Sequence, residues 1–118
     1  MALKISTRDV NGITVIDLSG RIVFGDEAAM LRDKVKSLVP INSRLILNLS
    51  QVSYIDSGGI GTMVSLFTTA RAAGGDIKLV NLTKRVGDLL QITKLITVFE
   101  TFDNENQAVQ AFAQKAAS

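Results

Sequence analysis

Histidine, cysteine and tryptophan are absent from this chain of 118 residues, and proline occurs once, at Pro40. Without cysteine there can be no disulfide, no thiol nucleophile and no Cys-ligated zinc or iron–sulfur site. Without histidine there is no Ser-His-Asp triad, no imidazole metal ligand and no side chain that titrates near neutrality at its ordinary pKa. One tyrosine and five phenylalanines are too few for a base-stacking platform. Neither sign of charge dominates, since 13 Lys and Arg oppose 11 Asp and Glu, and Lys84-Arg85 is the only adjacent basic pair. No basic stripe forms, so direct nucleic-acid contact is not expected. No apolar run approaches the roughly 20 residues of a membrane span. Lys4, Ser6, Thr7, Arg8 and Asp9 interrupt any signal-peptide core. These absences predict a cytoplasmic protein without membrane insertion, resident metal or cofactor, and without catalytic equipment of its own. The length suits one domain over residues 1–118.

What is present is a run of alternating strand and helix signals. Leu3 and Ile5, then Ile13, Val15, Ile16 and Leu18, flank Asn11-Gly12 and predict a hairpin. Asp26 reads as the N-cap of a first helix with Ala28, Leu31, Val35 and Leu38 at helical spacing, ended by Pro40. Leu45 to Leu49 is the nearly continuous apolar run of a strand covered on both faces. Val52 to Ile55 carries it to a second helix, with Ile60, Met63, Val64 and Phe67 on one face and Gly74-Gly75 at its end. Ile77 to Val80 is the next strand, and Thr83 caps a helix bearing Val86, Leu89 and Leu90. A strand over 98–102 and a last helix follow, the helix capped by Asp103 with Ala108, Val109, Phe112 and Ala116 inward. The predicted class is α/β, with a mixed, mostly parallel sheet of four to five strands packed with about four helices.

One segment carries chemistry. Asp56-Ser57-Gly58-Gly59-Ile60-Gly61 leaves the carboxyl end of a central strand and enters a helix, where open α/β sheets place their sites. Ser57 stands at the N-cap position of that helix. Three readings of the segment stay open. Ser57 caps the helix and the glycines let strand and helix pack closely; or the bare amides cradle a phosphate; or Ser57 accepts a phosphoryl group from a kinase. The second lacks the Gly-Lys-Ser/Thr ending of a P-loop and the G-x-G-x-x-G spacing of a dinucleotide fold, and Asp56 would repel the anion. The third adds roughly −1.5 to −2 charges beside Asp56. Asp17, Asp88 and the Lys84-Arg85 pair read as solvated surface charge.

Tyr54-Ile-Asp-Ser-Gly-Gly-Ile-Gly61 resembles the signature of STAS domains of the anti-sigma-factor antagonist type, whose usual form is Asp-Ser-Ser/Thr-Gly-Leu/Ile-Gly. Leu18-Ser-Gly-Arg-Ile22 is similar to the ending of that family's second strand, and Ala73 to Leu79 to its Gly-Gly turn and next strand. The resemblance implies a non-enzymatic binding module. It implies phosphorylation of Ser57 by an anti-sigma factor that is also a serine-protein kinase, and dephosphorylation by a PP2C-type phosphatase. The unmodified form would bind the anti-sigma factor and release a sigma factor. Two positions depart from the pattern: the second hydroxyl of the signature is Gly58, and an aspartate common after the second strand is Val23. Val23 and Phe24 then read either as an apolar partner contact or as core. Two further readings stay open: a STAS subunit of a signalling scaffold or lipid-transport complex that works without phosphorylation, and a nucleotide-binding domain using the Gly58–Gly61 amides.

Overall fold

The computed structural model describes the backbone of residues 3–117 and the side chains of residues 3–113. Strand β1 (Lys4–Val10) and strand β2 (Ile13–Ile22) form the expected hairpin, antiparallel, with Val10 opposite Ile13. Asn11 and Gly12 both have positive φ, 53° and 79°. That is the backbone of a two-residue turn matching the twist of its strands. Helix α1 (Asp26–Leu38) then crosses to β3 (Arg44–Ile55), α2 (Ser57–Ala72) to β4 (Asp76–Val80), and α3 (Lys84–Ile92) to the short β5 (Glu100–Phe102). Helix α4 (Glu105–Ala117) ends the described chain. The sheet order is β1-β2-β3-β4-β5, and every neighbouring pair except β1 and β2 is parallel.

Alternation along β3 explains the layering, because successive strand side chains point to opposite faces. Leu45, Leu47 and Leu49 join a core with Leu31 and Val35 of α1, Met63 and Leu66 of α2, and Val86 and Leu90 of α3. Ile46 points the other way, into a smaller core with Ala108, Val109 and Phe112 of α4. Each fully buried Leu or Ile contributes about 1.5–3 kcal/mol relative to exposure. A helix layer therefore covers each face. Among the described residues no helix is long and apolar enough to cross a membrane.

Several local expectations are corrected. Gly25 rather than Asp26 caps α1, with φ 106° and no side-chain hydrogen bond; Asp26 lies already inside the first turn. The two predicted halves of β3 are one strand, with register shifts against β2 between Asp17 and Ser19 and between Gly20 and Arg21. β5 starts at Glu100 because the amides of Val98 and Phe99 donate to the Leu95 carbonyl in a tight turn and so are lost to the ladder. Phe99 packs instead edge-on against Phe67, centroids 5.1 Å apart. Asn104, not Asp103, caps α4: its side-chain oxygen accepts from the Gln107 amide at 2.9 Å. Ala116 lies outside the described side chains. Thr83 caps α3 as expected, accepting from the Val86 amide.

Asp17 is not free surface charge. It is half-buried and holds the Arg8 guanidinium (Nε to Oδ2, 2.6 Å) while Asn48 donates to it at 2.8 Å. Arg8 reaches on to Glu105, so one cation joins β1, β2 and α4. Lys78, unremarked in the β4 pattern, is completely buried; its ammonium contacts Asp76 at 3.0 Å, pairs with Glu100 and lies 4.6 Å from the Phe112 ring centroid.

Candidate functional site

The site lies where β2 and β3 end side by side. Ile22 pairs with Ile55, the last residue of each strand. Beyond that pair the chains diverge: β2 turns through residues 23–25 into α1, and β3 passes through Asp56 into α2. The Asp56 amide donates back to the Ile22 carbonyl at 3.3 Å, so the two exits stay stitched together.

Asp56, not Ser57, caps α2. Its backbone is extended, φ −94° and ψ −179°, and Oδ1 accepts from the Gly59 amide at 2.8 Å. A carboxylate one residue ahead of the serine is the stronger acceptor for that otherwise unpaired amide. Both carboxylate oxygens also accept from the Phe24 amide, each at 3.1 Å. The Gly59 amide above all, then the Phe24 amide, hold the Asp56 carboxyl below the usual aspartate range. Asp56 is thus ionised at neutral pH and ties the loop after β2 to the start of α2.

Displaced from the cap, Ser57 is the first residue of α2. It is exposed, and its hydroxyl has no hydrogen-bond partner among the described residues. The positive end of a helix dipole lies beneath it, which favours a nearby anion by about 0.3–1 kcal/mol.

The glycines divide by function. Gly59 is buried, and a β-carbon there would lie 2.0 Å from the Ile22 carbonyl oxygen, so the helix start can meet β2 only without a side chain. Gly58 is half-buried, its open side filled by Phe24. Gly61 is exposed, and nothing stands within 4 Å of the β-carbon it lacks. Ile60 is half-buried against the larger core, and its amide donates to the Asp56 carbonyl at 2.9 Å.

Val23 and Phe24 separate. Val23 is half-buried with its carbonyl bonded to the Ala28 amide, whereas Phe24 is 81% exposed. The structure brings Phe24, Asp56, Gly58 and Gly59 into one constellation across the ends of two strands, with Ser57 at its rim. The amide that a phosphate cradle would need at Gly59 is occupied by the chain's own carboxylate.

Beside the site, Arg85 lies over the Tyr54 ring, 5.1 Å from its centroid. With Ile55, Leu89 and the exposed Ile92 they line a shallow cleft of about 190 Å³. Lys84 pairs with Asp88 at 2.9 Å. The sequence reading took Lys84, Arg85 and Asp88 as solvated surface charge. The only signal for the cleft was the aromatic residue two positions before Asp56.

A family model of the STAS domain matches residues 4–108. The chain is also 35% identical over 111 residues to the anti-sigma-B factor antagonist of Bacillus subtilis, covering 93% of this chain and 100% of that one. The chain belongs to the STAS domain family of anti-sigma factor antagonists. Two solved structures carry the same fold as this STAS domain. An anti-sigma factor antagonist from Mycobacterium paratuberculosis superposes with a TM-score of 0.80 at 20% identity, covering 93% of each chain. The Bacillus cell fate determinant SpoIIAA in its phosphorylated form superposes with a TM-score of 0.69 at 19% identity, covering 94% of this STAS domain and 99% of that chain.

Proposed function

We propose that this STAS domain is a partner switch whose state is written on Ser57. Unmodified, it binds an anti-sigma factor that is also a serine kinase, in the cytoplasm, and so frees a sigma factor. Phosphorylated, it lets go. The observation that carries this reading is that Asp56 takes over the capping of α2, so the Ser57 hydroxyl stands exposed with nothing to hold it. A hydroxyl used as a cap would first have to leave its amide. The B. subtilis relative acts, by its name, on the anti-sigma-B factor, and a neighbour in fold exists in a phosphorylated form; both support the assignment.

The chemistry comes from the partner. Ser57 Oγ attacks the γ-phosphorus of ATP held by the kinase; the Oγ–P bond forms, the bond to ADP breaks, and the hydroxyl proton passes to a base of the kinase. A PP2C-type phosphatase reverses the modification: water attacks the phosphorus, inorganic phosphate leaves and the hydroxyl is restored. A phosphate on the first residue of α2 is sheltered by the helix dipole, so the fold persists while the local charge becomes more strongly negative. Phe24, Ser57, Gly58, Ile60 and Gly61 form the docking surface in this reading; Val23, Asp56 and Gly59 hold it in place.

Intact-mass analysis after incubation with an anti-sigma kinase and ATP tests the assignment. One phosphate should add to the wild type and none to Ser57→Ala. If the wild type stays unmodified with every such kinase encoded beside it, the reading is wrong.

A further inference from the structure

The Asp56 carboxylate faces two ways. It accepts from the Gly59 amide at the head of α2 and from the Phe24 amide in the loop after β2. Among the described residues no other hydrogen bond joins residues 23–25 to α2. The ring of Phe24 is 81% exposed and stands at the same strand ends as the exposed Ser57. Its β-carbon sits over Gly58, next to Ser57. We propose that Phe24 is the aromatic anchor of the docking surface, and that Asp56 relays the phosphorylation state of Ser57 to it. The proposal rests on the switch reading above and adds the route by which the phosphate acts.

The relay follows from competition. A phosphoryl group on the first residue of a helix reaches the amides of the second and third residues, here Gly58 and Gly59. As a dianion it accepts from the Gly59 amide more strongly than a carboxylate does, and it repels the Asp56 charge from the same place. Once Asp56 is driven off Gly59, it can no longer hold the Phe24 amide in the observed geometry. The loop loses its tie to α2, and Phe24 leaves the place that the bare Gly58 provides. Release of the partner then combines a repelling charge with a withdrawn anchor. The partner's matching feature is an apolar pocket that receives one aromatic ring close to the serine, a common form of interface hot spot.

The relay is measurable in the full chain alone. Phosphoserine is incorporated at position 57 during translation, and amide hydrogen exchange is followed by NMR in the modified and unmodified proteins. The expected result is exchange at least tenfold faster at the Phe24 amide on phosphorylation, with Gly59 still protected by its new acceptor. An unchanged Phe24 amide overturns the relay and leaves direct charge repulsion as the whole mechanism. This measurement needs neither kinase nor partner, so its outcome is separate from that of the switch reading. A second arm titrates the anti-sigma kinase against wild type and Phe24→Ala, each with and without the phosphate. The anchor predicts at least tenfold weaker binding by unmodified Phe24→Ala, and a smaller loss on phosphorylation than in wild type. Equal losses in the two backgrounds would mean that the phosphate does not act through Phe24.

Discussion

A β-carbon placed on Gly58 would lie 2.6 Å from the β-carbon of Phe24 and 3.1 Å from its α-carbon. Gly58, where the family's usual signature carries a second hydroxyl, is therefore covered by Phe24, the residue after Val23. A residue with a side chain after Ser57 and any residue with a β-carbon at position 24 cannot both occupy these sites without movement. Phe24 fills the room that the missing side chain leaves.

That contact reverses an ordinary rule. Replacing a helical glycine by a residue with a side chain usually stabilises by up to about 1 kcal/mol. Here Gly58→Ser should destabilise by about 1–3 kcal/mol, the range for overpacking. Phe24→Ala would not relieve it, because the β-carbon is the nearest atom. Phe24→Gly should relieve much of it, and a double-mutant cycle by urea denaturation reads the coupling directly.

Gly59→Ala should be worse. Its new β-carbon meets the Ile22 carbonyl oxygen at 2.0 Å, and a backbone atom at a strand end cannot rotate aside. A loss of about 3 kcal/mol or more is expected. A thermal melt showing Gly59→Ala as stable as wild type would mean that α2 can slide off β2 freely.

Acid should expose the work of Asp56 and Asp17. Asp56 is held below the ordinary aspartate range by the Gly59 and Phe24 amides, and Asp17 is lowered chiefly by the Arg8 guanidinium. A depressed folded-state pKa gives stability that is complete above the unfolded value of about 3.9 and lost as pH falls through the folded value. The melting temperature should therefore drop below about pH 4. Asp56→Asn should melt below wild type at pH 7, with the difference shrinking toward pH 2–3; a constant difference would show that the charge of Asp56 contributes nothing.

Lys78 separates pairing from packing. Lys78→Ala leaves the nearly buried Asp76 without this cation and opens space beneath Phe112, for an expected loss of about 3 kcal/mol. Lys78→Met removes the same cation but keeps the volume and the contact with the ring, so its smaller loss reads the unpairing and its difference from Lys78→Ala reads the packing. Chemical denaturation of the pair distinguishes the two contributions.

Much of this protein could be read from short windows of the chain. The hairpin turn at Asn11-Gly12, the Thr83 cap and the order of strands and helices all rest on interactions within a few residues. The position of Ser57 at a strand-to-helix exit does so as well, for hydrophobic period and turn chemistry are local properties.

What tertiary structure alone decided is which of several equally suited local groups won. Both Asp56 and Ser57 can cap a helix; the aspartate prevails in a place where the Phe24 amide, 32 residues earlier in the chain, supplies a second donor to the same carboxylate. Phe24 read equally well as core or surface until the ends of β2 and β3 were set side by side and Gly58 left it a place facing solvent. Lys78, within the strand read at 77–80, is buried because α4 closes over it. In each case the deciding partner lies far away in sequence and near in space. Local period and spacing carry no trace of such a partner, whereas short-range packing and hydrogen bonding depend on it directly.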